Sequence, residues 1–401
     1  MTVEESLRPR GLSNPRDFQD ANFLKHPGNH PVERYQTGMS RVRYAMRSYL
    51  TRFTDNQSSK LYEWQANHRT TYRDIFFAYT SLLASHTFYV LCLPIPAFIG
   101  QVDLVRDMVY VLGYSIYLSG FLKDYWCLPR PRSPPLHRIT LSAYTALEYG
   151  APSSHSANAT GVTFLLLWNT WRSATLGWFG KSFCSILALC YYLTLVAGRI
   201  YCGMHGLLDI ISGAAIGVVC FAARIAIKNL LKDFKLGDHL WFPFFSISWG
   251  LLLLFKHVRP IEECPCFQDS VAFIGVVSGF ECSEWLLEVL KITSDGGMGI
   301  QKGFQYFIYR LVVGVACVAL WKYCVSQTLV YCTLLEVLRL PDDRPEKTAA
   351  HAAANEEDEC PLYIGEPKID IIGRFFIYAG IPFVVLVICP PLFSFLNITS
   401  S

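Results

Sequence analysis

The run "LVAGRIYCGMHGLLDIISGAAIGVVC" (195–220) is apolar or small except for Arg199, His205 and Asp209. Ionisable residues at membrane depth are costly and mark a site. Asp209 follows His205 by four residues, so on a helix the two share a face and the carboxylate can hydrogen-bond one ring nitrogen. That acceptor fixes the tautomer and makes the other nitrogen the better nucleophile. A second group, "APSSHSAN" (151–158), places Ser153 and Ser154 ahead of a predicted helix, where hydroxyls and free backbone N–H groups favour an anion. It also supplies His155, a second imidazole suited to act as an acid. A third group, "KDYWCLPRP" (123–131), brings Lys123 and Arg130. With Arg199 these make three cations with few carboxylates nearby in sequence, and arginine suits bidentate recognition of phosphate oxygens. Taken singly, each piece has an ordinary use: a snorkelling anchor, a helix cap, or the proton relay of a transporter. Taken together they describe a phosphate pocket with a histidine nucleophile.

For these groups to meet, the elements between them must return to one place. The 401 residues are 52% hydrophobic and 17% charged, against about 25% charged in an ordinary soluble domain, which points to a membrane protein. A formal net charge of +3 without any Arg/Lys-rich run gives no argument for a nucleic-acid partner. Apolar segments near the length of a span fall at 75–99, 105–122, 156–172, 182–199, 207–227, 240–256, 269–286, 304–323 and 373–396, and predict eight or nine membrane helices. The weakest is 269–286, which carries Glu281 and Glu284; 325–340 is either a further helix or a continuation of the one before it. The first chemical group follows the second span, the next precedes the third, and the last lies between the fourth and fifth. Counting crossings puts all of them on one membrane face.

This divides the chain into a polar N-terminal tail (1–74), a catalytic membrane core (75–235), additional membrane helices (236–340), an acidic flexible loop (341–372), and a last span with the C-terminus (373–401). In the tail, Met39, Val42, Met46, Tyr49, Leu50 and Phe53 recur at helical spacing, with Arg41, Arg43, Arg47 and Arg52 mostly elsewhere on the wheel. That is the pattern of a basic amphipathic helix on the membrane surface, or of an ordinary solvated helix. The N-terminus shows no apolar core of a cleavable signal peptide. The fourteen cysteines are scattered, most reading as small buried hydrophobes. Cys264-Pro-Cys266 is the one close pair, and no second pair or histidine cluster completes a metal site around it.

The motifs resemble a known family. Lys123, six residues, Arg130-Pro131; "PSSH" where Pro-Ser-Gly-His is usual; and Arg199, five residues, His205, three residues, Asp209 together resemble the signature of the type 2 phosphatidate phosphatase superfamily, which includes vanadium haloperoxidases and glucose-6-phosphatase. Ser154 replaces the common Gly, and Gly198 replaces the common Ser before the arginine, removing a hydroxyl. The wording "RIYCGMHGLLD" is most similar to the sphingoid-base-phosphate phosphatases of the endoplasmic reticulum, the fungal dihydrosphingosine-1-phosphate phosphatases in particular. The resemblance implies an all-α polytopic helix bundle containing the six-helix acid-phosphatase core. It implies that Lys123, Arg130 and Arg199 hold phosphate, helped by Ser153 and the backbone at Ser154. His205 would attack to give a phosphohistidine, Asp209 would orient it, and His155 would protonate the leaving alkoxide. No metal and no cofactor is expected, consistent with the lack of a clustered carboxylate site for Mg²⁺.

The substrate class follows from the same resemblance: a sphingoid base 1-phosphate taken from the bilayer, with phosphatidate or another lipid phosphate as the alternative and a multi-span transporter as the alternative of another class. No ammonium pocket is readable; Asp124 and Glu148 are the carboxylates that could contact one. Arg172, Lys181, Lys228, Lys232 and Lys235 lie near span ends on the face opposite the site, which predicts a cytoplasmic opposite face and a lumenal site. The arginines of the N-terminal tail, which parity also makes lumenal, oppose that orientation.

Overall fold

The computed structural model describes residues 26–54, 57–141, 145, 147–292, 304–357 and 362–398. Expectations for residues 1–25 and 358–361 lie outside them. Among the described residues the chain is helical, its one β pairing being an isolated bridge between Glu262 and Leu362. Four helices come before the core: α1 (Val32–Gly38), α2 (Arg41–Thr54), α3 (Gln57–His68) and α4 (Thr71–Thr80). After the short α5 (His86–Cys92) come α6 (Val102–Trp126), α7 (Ser154–Arg172), α8 (Trp178–Tyr201) and α9 (Leu207–Leu230), which carry the motifs. Behind them follow α10 (Phe242–Phe255), α11 (Cys266–Val289), α12 (Phe304–Leu320), α13 (Arg344–Glu357) and α14 (Lys368–Phe383).

Helices occupy every segment expected to span. By length and apolarity, five qualify as spans: α8, α9, α11, Gln305–Val337 and Lys368–Phe395. A sixth is the pair Thr71–Ala84 and Thr87–Ile99 if its 57° bend is counted as one crossing. Eight or nine is therefore not confirmed. α10 has only 14 residues. α6 and α7 are long enough, but they carry the buried polar residues Lys123, Asp124, Ser156, Asn158 and Thr160, which lower their hydropathy. The ambiguity over 325–340 resolves as continuation, since α12 runs on through π-helical turns at Trp321–Val325 and Thr333–Val337. Within 341–372, expected as a loop, α13 is helical; its alanines at 349, 350 and 352–354 have the highest helix propensity.

The weakest expected span is the central post. α11 has 78% of its apolar window buried, and the two acids that weakened it are partnered: Glu284 with Arg106 at 2.5 Å, and Glu281 with the Tyr110 and Ser246 hydroxyls. Glycines set the distances between the posts. A Cβ at Gly120 would lie 2.5 Å from Ser270 Oγ, and one at Gly113 would lie 2.4 Å from Val277, so α6 and α11 run in close antiparallel contact. On α9, Gly213 and Gly217 stand four apart, and a Cβ on either would lie 2.3 Å from the carbonyl oxygen of Ser153 or Ala157. This close approach of backbones through small residues brings the start of α7 against the start of α9.

The amphipathic tail helix α2 has its polarity facing inward. Arg43 and Arg47 are buried, whereas Val42, Met46, Tyr49 and Phe53 are exposed. Arg43 donates to the carbonyls of Tyr125 (2.7 Å) and Asp124 (2.5 Å), and Arg47 donates to that of Cys127 (3.3 Å). Two cations thus close the carbonyl end of α6, where charge and orphan acceptors favour them.

Candidate active site

Local chemistry fixes each end that meets at the site. α6 stops after Trp126 because Cys127 turns left-handed (φ 49°) and Pro129 and Pro131 cannot extend a helix. Its last turn carries Lys123. α7 begins at Ser154 because Ser153 caps it, the Ser153 hydroxyl accepting from the Ser156 N–H at 3.3 Å. α8 ends at Tyr201, held by Gln65, which donates to the carbonyls of Tyr201 and His137, both at 2.8 Å. The turn that follows needs Gly203: its φ is +64°, and a Cβ there would lie 2.7 Å from the His137 carbonyl oxygen. α9 opens with Asp209 in its first turn, accepting from the Gly206 N–H at 2.9 Å. That bond places the carboxylate at the positive end of the helix dipole.

These ends come together in the fold. The Ser153 N–H donates to the Asp209 carbonyl (2.9 Å), and the Ser156 hydroxyl donates to that of Ile210 (2.8 Å). His205 is 1% exposed and Asp209 0%, so the pair is sealed from bulk water. His205 Nδ1 lies 3.2 Å from Asp209 Oδ2, and Arg130 lies 3.2 Å from Nε2. A guanidinium can only donate, so Nε2 carries the lone pair and Nδ1 the proton, donated to Asp209. Arg130 is itself aimed by the carbonyls of Glu148 and Met204, both at 2.7 Å. Burial first, then the charges of Arg130, Arg199 and Lys123, hold His205 well below the usual imidazole range.

Lys123, Ser154, His155 and Arg199 line a cavity of about 530 Å³. Arg130, 3.5 Å from the lining residue Glu148, links the cavity to His205 and through it to Asp209, and Ser153 is committed to capping. Arg199 is 3% exposed, and its Nε has no hydrogen-bond partner. A buried donor left open beside other cations fits a phosphate oxygen. The absence of a hydroxyl at Gly198 has a packing cause, because a Cβ there would lie 2.9 Å from the Phe77 ring.

Glu148 is the residue whose role the sequence did not disclose. Its carboxylate pairs with Lys123 and lies 3.5 Å from Arg130. Burial pushes its carboxyl up, but Lys123 and Arg130 outweigh burial and hold it below the usual range. It is the counter-ion of two buried cations. Its neighbour Tyr149 donates to Glu262, as does Tyr35 at 2.5 Å, so α1 and the loop after α10 fasten the segment that bears Glu148. Asp124 faces away from the cavity, toward Cys266 Sγ (3.0 Å) and His257 (3.6 Å). Cys264 and Cys266 are joined as a disulfide. With Asp124 they form the one grouping of metal-type ligands among the described residues, and sulfurs bonded to each other are not thiolate ligands.

The sequence model of the PAP2 superfamily matches residues 104–232, the stretch from α6 to α9. A dihydrosphingosine 1-phosphate phosphatase of Saccharomyces cerevisiae is 56% identical over 99% of this chain and 96% of its own length. A second protein of that name, from Schizosaccharomyces pombe, is 30% identical over 89% of this chain and 92% of its own. Lipid phosphate phosphatase delta of Arabidopsis thaliana is 30% identical over 81% of this chain and 83% of its own. No solved structure matches.

Proposed function

We propose, on the premise that this chain belongs to the PAP2 superfamily, that it is a membrane phosphatase removing phosphate from sphingoid base 1-phosphates to leave the free long-chain base. The observation that carries the chemistry is the buried chain Asp209–His205–Arg130, which leaves Nε2 with a lone pair beside three cations. The substrate class rests on near full-length similarity to proteins bearing that activity in their names.

In this mechanism the phosphoryl oxygens of the lipid join Glu148 as partners of Lys123 and Arg130 and take up the open donor of Arg199. Recruiting Arg130 to phosphate frees Nε2, which attacks phosphorus in line. The P–N bond forms as the P–O bond to the lipid breaks. His155, which burial and the charges of Arg199, Lys123 and Arg130 hold well below the usual imidazole range, takes the proton that the phosphate monoanion brings and passes it to the departing alkoxide. Asp209 stabilises the charge that develops on the imidazole. His155 then takes a proton from water, the hydroxide displaces His205 from phosphorus, and phosphate leaves. Fixed cations supply the charge stabilisation that a metal gives in other phosphoryl transferases. The carboxylates of the clamp and of the nucleophile fit no metal: Glu148 is paired with Lys123, and Asp209 is bonded to His205 and the Gly206 N–H.

The test is phosphate release from dihydrosphingosine 1-phosphate and from phosphatidate at one surface concentration, with His205→Ala as control. Equal release by wild type and variant overturns the mechanism, and a preference for phosphatidate overturns the substrate. We place the protein in the endoplasmic reticulum membrane with the site toward the lumen, supported by the cations gathered at the opposite end. α13 lies at the site end, where Lys347 donates to the Ile364 carbonyl at 2.8 Å beside the Glu262–Leu362 bridge. A glycosylation sequon engineered into α13 is therefore expected to be modified; an unmodified sequon reverses the orientation.

A further inference from the structure

A sphingoid base 1-phosphate differs from a phosphatidate in bearing an ammonium on the carbon next to the phosphorylated one and a hydroxyl on the next. Both are donors, where the glycerolipid offers ester oxygens. A site that selects the former needs free acceptors close to the phosphate clamp. Glu148 and Asp124, the carboxylates nearest in sequence, are taken by Lys123 and Arg130 or directed away from the cavity.

The cavity holds another carboxylate, from beyond the catalytic core. Asp269, in the first turn of α11, lines it together with Lys123, His155 and Arg199. The register of α6 on α11 accounts for this. Gly120 sits on Ser270 and Asp124 meets Cys266, so the Lys123 turn faces the Asp269 turn. Among the described residues Asp269 makes no hydrogen bond or ion pair. The charges it feels are Glu148, Arg374, Lys123 and Lys322, with Arg374 bonded to Gln268 at 2.7 Å. A second acceptor opens on the same cavity: Asn158, one turn beyond His155 on α7, is 3% exposed and its Oδ1 has no partner.

The same face of α11 continues into apolar surroundings. Phe273, Val276 and Phe280 follow Asp269 at helical spacing and line a small apolar cleft of about 40 Å³, which shares Tyr89 and Phe273 with the polar cavity. Eleven residues of helix rise about 16 Å, comparable with an extended long-chain tail. One helix face thus offers a carboxyl group near the phosphate clamp and an apolar track leading away from it.

We propose that Asp269 receives the ammonium group of the long-chain base, with Asn158 as the acceptor for its neighbouring donor, and that this pair sets the preference for sphingoid phosphates over phosphatidate. This inference rests on the phosphatase reading above. A substrate without donors leaves two acceptors unpaired in a confined site, and such omissions are rejected more strongly than a missing methylene. The helices after residue 240 then have a function, which is to bring a specificity residue to a phosphatase core.

The experiment compares dihydrosphingosine 1-phosphate with octadecyl phosphate, of equal chain length but lacking amine and hydroxyl, using the full-length protein in detergent and its Asp269→Asn and Asp269→Glu variants. Loss of a charge-assisted bond is expected to lower kcat/KM for the sphingoid substrate roughly 10- to 100-fold in Asp269→Asn. Octadecyl phosphate hydrolysis should stay near the wild-type value, and Asp269→Glu should restore part of the preference. Equal loss on both substrates would make Asp269 a counter-charge to Arg374 and overturn the proposal, as would no loss on the sphingoid substrate. A wild-type enzyme that hydrolyses octadecyl phosphate as well as dihydrosphingosine 1-phosphate has no amine recognition to explain and overturns the proposal directly. Failure of the underlying phosphatase reading is distinct: wild type then releases phosphate from neither.

Discussion

Replacing Asp209 by Asn separates two things that carboxylate does, because the structure decides which way the amide must sit. Asp209 Oδ2 accepts from both His205 Nδ1 (3.2 Å) and the Gly206 N–H (2.9 Å), while Oδ1 is buried without a partner. An amide NH₂ turned toward those two donors would face both unsatisfied. The amide oxygen must therefore take the Oδ2 position and the NH₂ the vacant one. The tautomer of His205 is then retained and only the charge is lost. Charged hydrogen bonds contribute about 1.5–3 kcal/mol and neutral ones about 0.5–1.5. The variant should lose roughly 1–2 kcal/mol of transition-state stabilisation, about 5- to 30-fold in kcat. An inverted amide would force the wrong tautomer, for which an analogous triad loses about 10⁴-fold. The assay is phosphate release at saturating dihydrosphingosine 1-phosphate, with His205→Ala setting the background. A kcat within about twofold of wild type, or a change confined to KM, would refute the assignment of Asp209 as the group that supports charge on the nucleophile.

Other consequences follow from the packing around the clamp. Glu148→Gln leaves Lys123 and Arg130 buried without their anion and should cost about 3–5 kcal/mol of stability, read as a lowered Tm in detergent; an unchanged Tm would remove Glu148 from the clamp. Because the Glu148 carboxyl is held below its ordinary value in the folded protein, its contribution is present above the unfolded carboxyl range and is lost as pH falls through it. The wild-type Tm should therefore drop on acidification more steeply than that of Glu148→Gln, and parallel curves would contradict this. Gly217→Ala places a methyl 2.3 Å from the Ala157 carbonyl oxygen. Overpacking of that kind costs about 1–3 kcal/mol, and pushing α9 from α7 should lower both Tm and kcat; wild-type values for both would mean that the helices need not touch there.

The groups on which the proposed chemistry rests were legible because their spacing is local in sequence. His205 and Asp209 lie one helical turn apart, Ser153 precedes a helix, and parity of apolar segments carries the motifs to one face whatever the details of packing. Apolarity was a weaker guide where helices serve the site: α6 and α7 carry buried polar groups that cut their hydropathy, and the acids of α11 looked like interruptions until Arg106, Tyr110 and Ser246 came to meet them. The arginines of α2 read as a membrane-facing basic stripe because the wheel gives a face but not what it packs on. The end of α6, rich in unpaired carbonyls, attracted them inward.

What the sequence determined by itself is the set of reactive groups, their helical registry and the face of the bundle on which they gather, since each depends on spacing along a single chain segment. What only the tertiary structure decided is which charges are spent and which remain open. Glu148 and Asp269 are both single acids beside apolar segments, and nothing in their sequence surroundings ranks one above the other. The close contact of α6 with α11 turns Asp269 into the cavity unpaired, while the fold of the segment before α7 delivers Glu148 onto Lys123 and Arg130. Pairing of buried charges is a property of three-dimensional distance, and a one-dimensional pattern does not contain it.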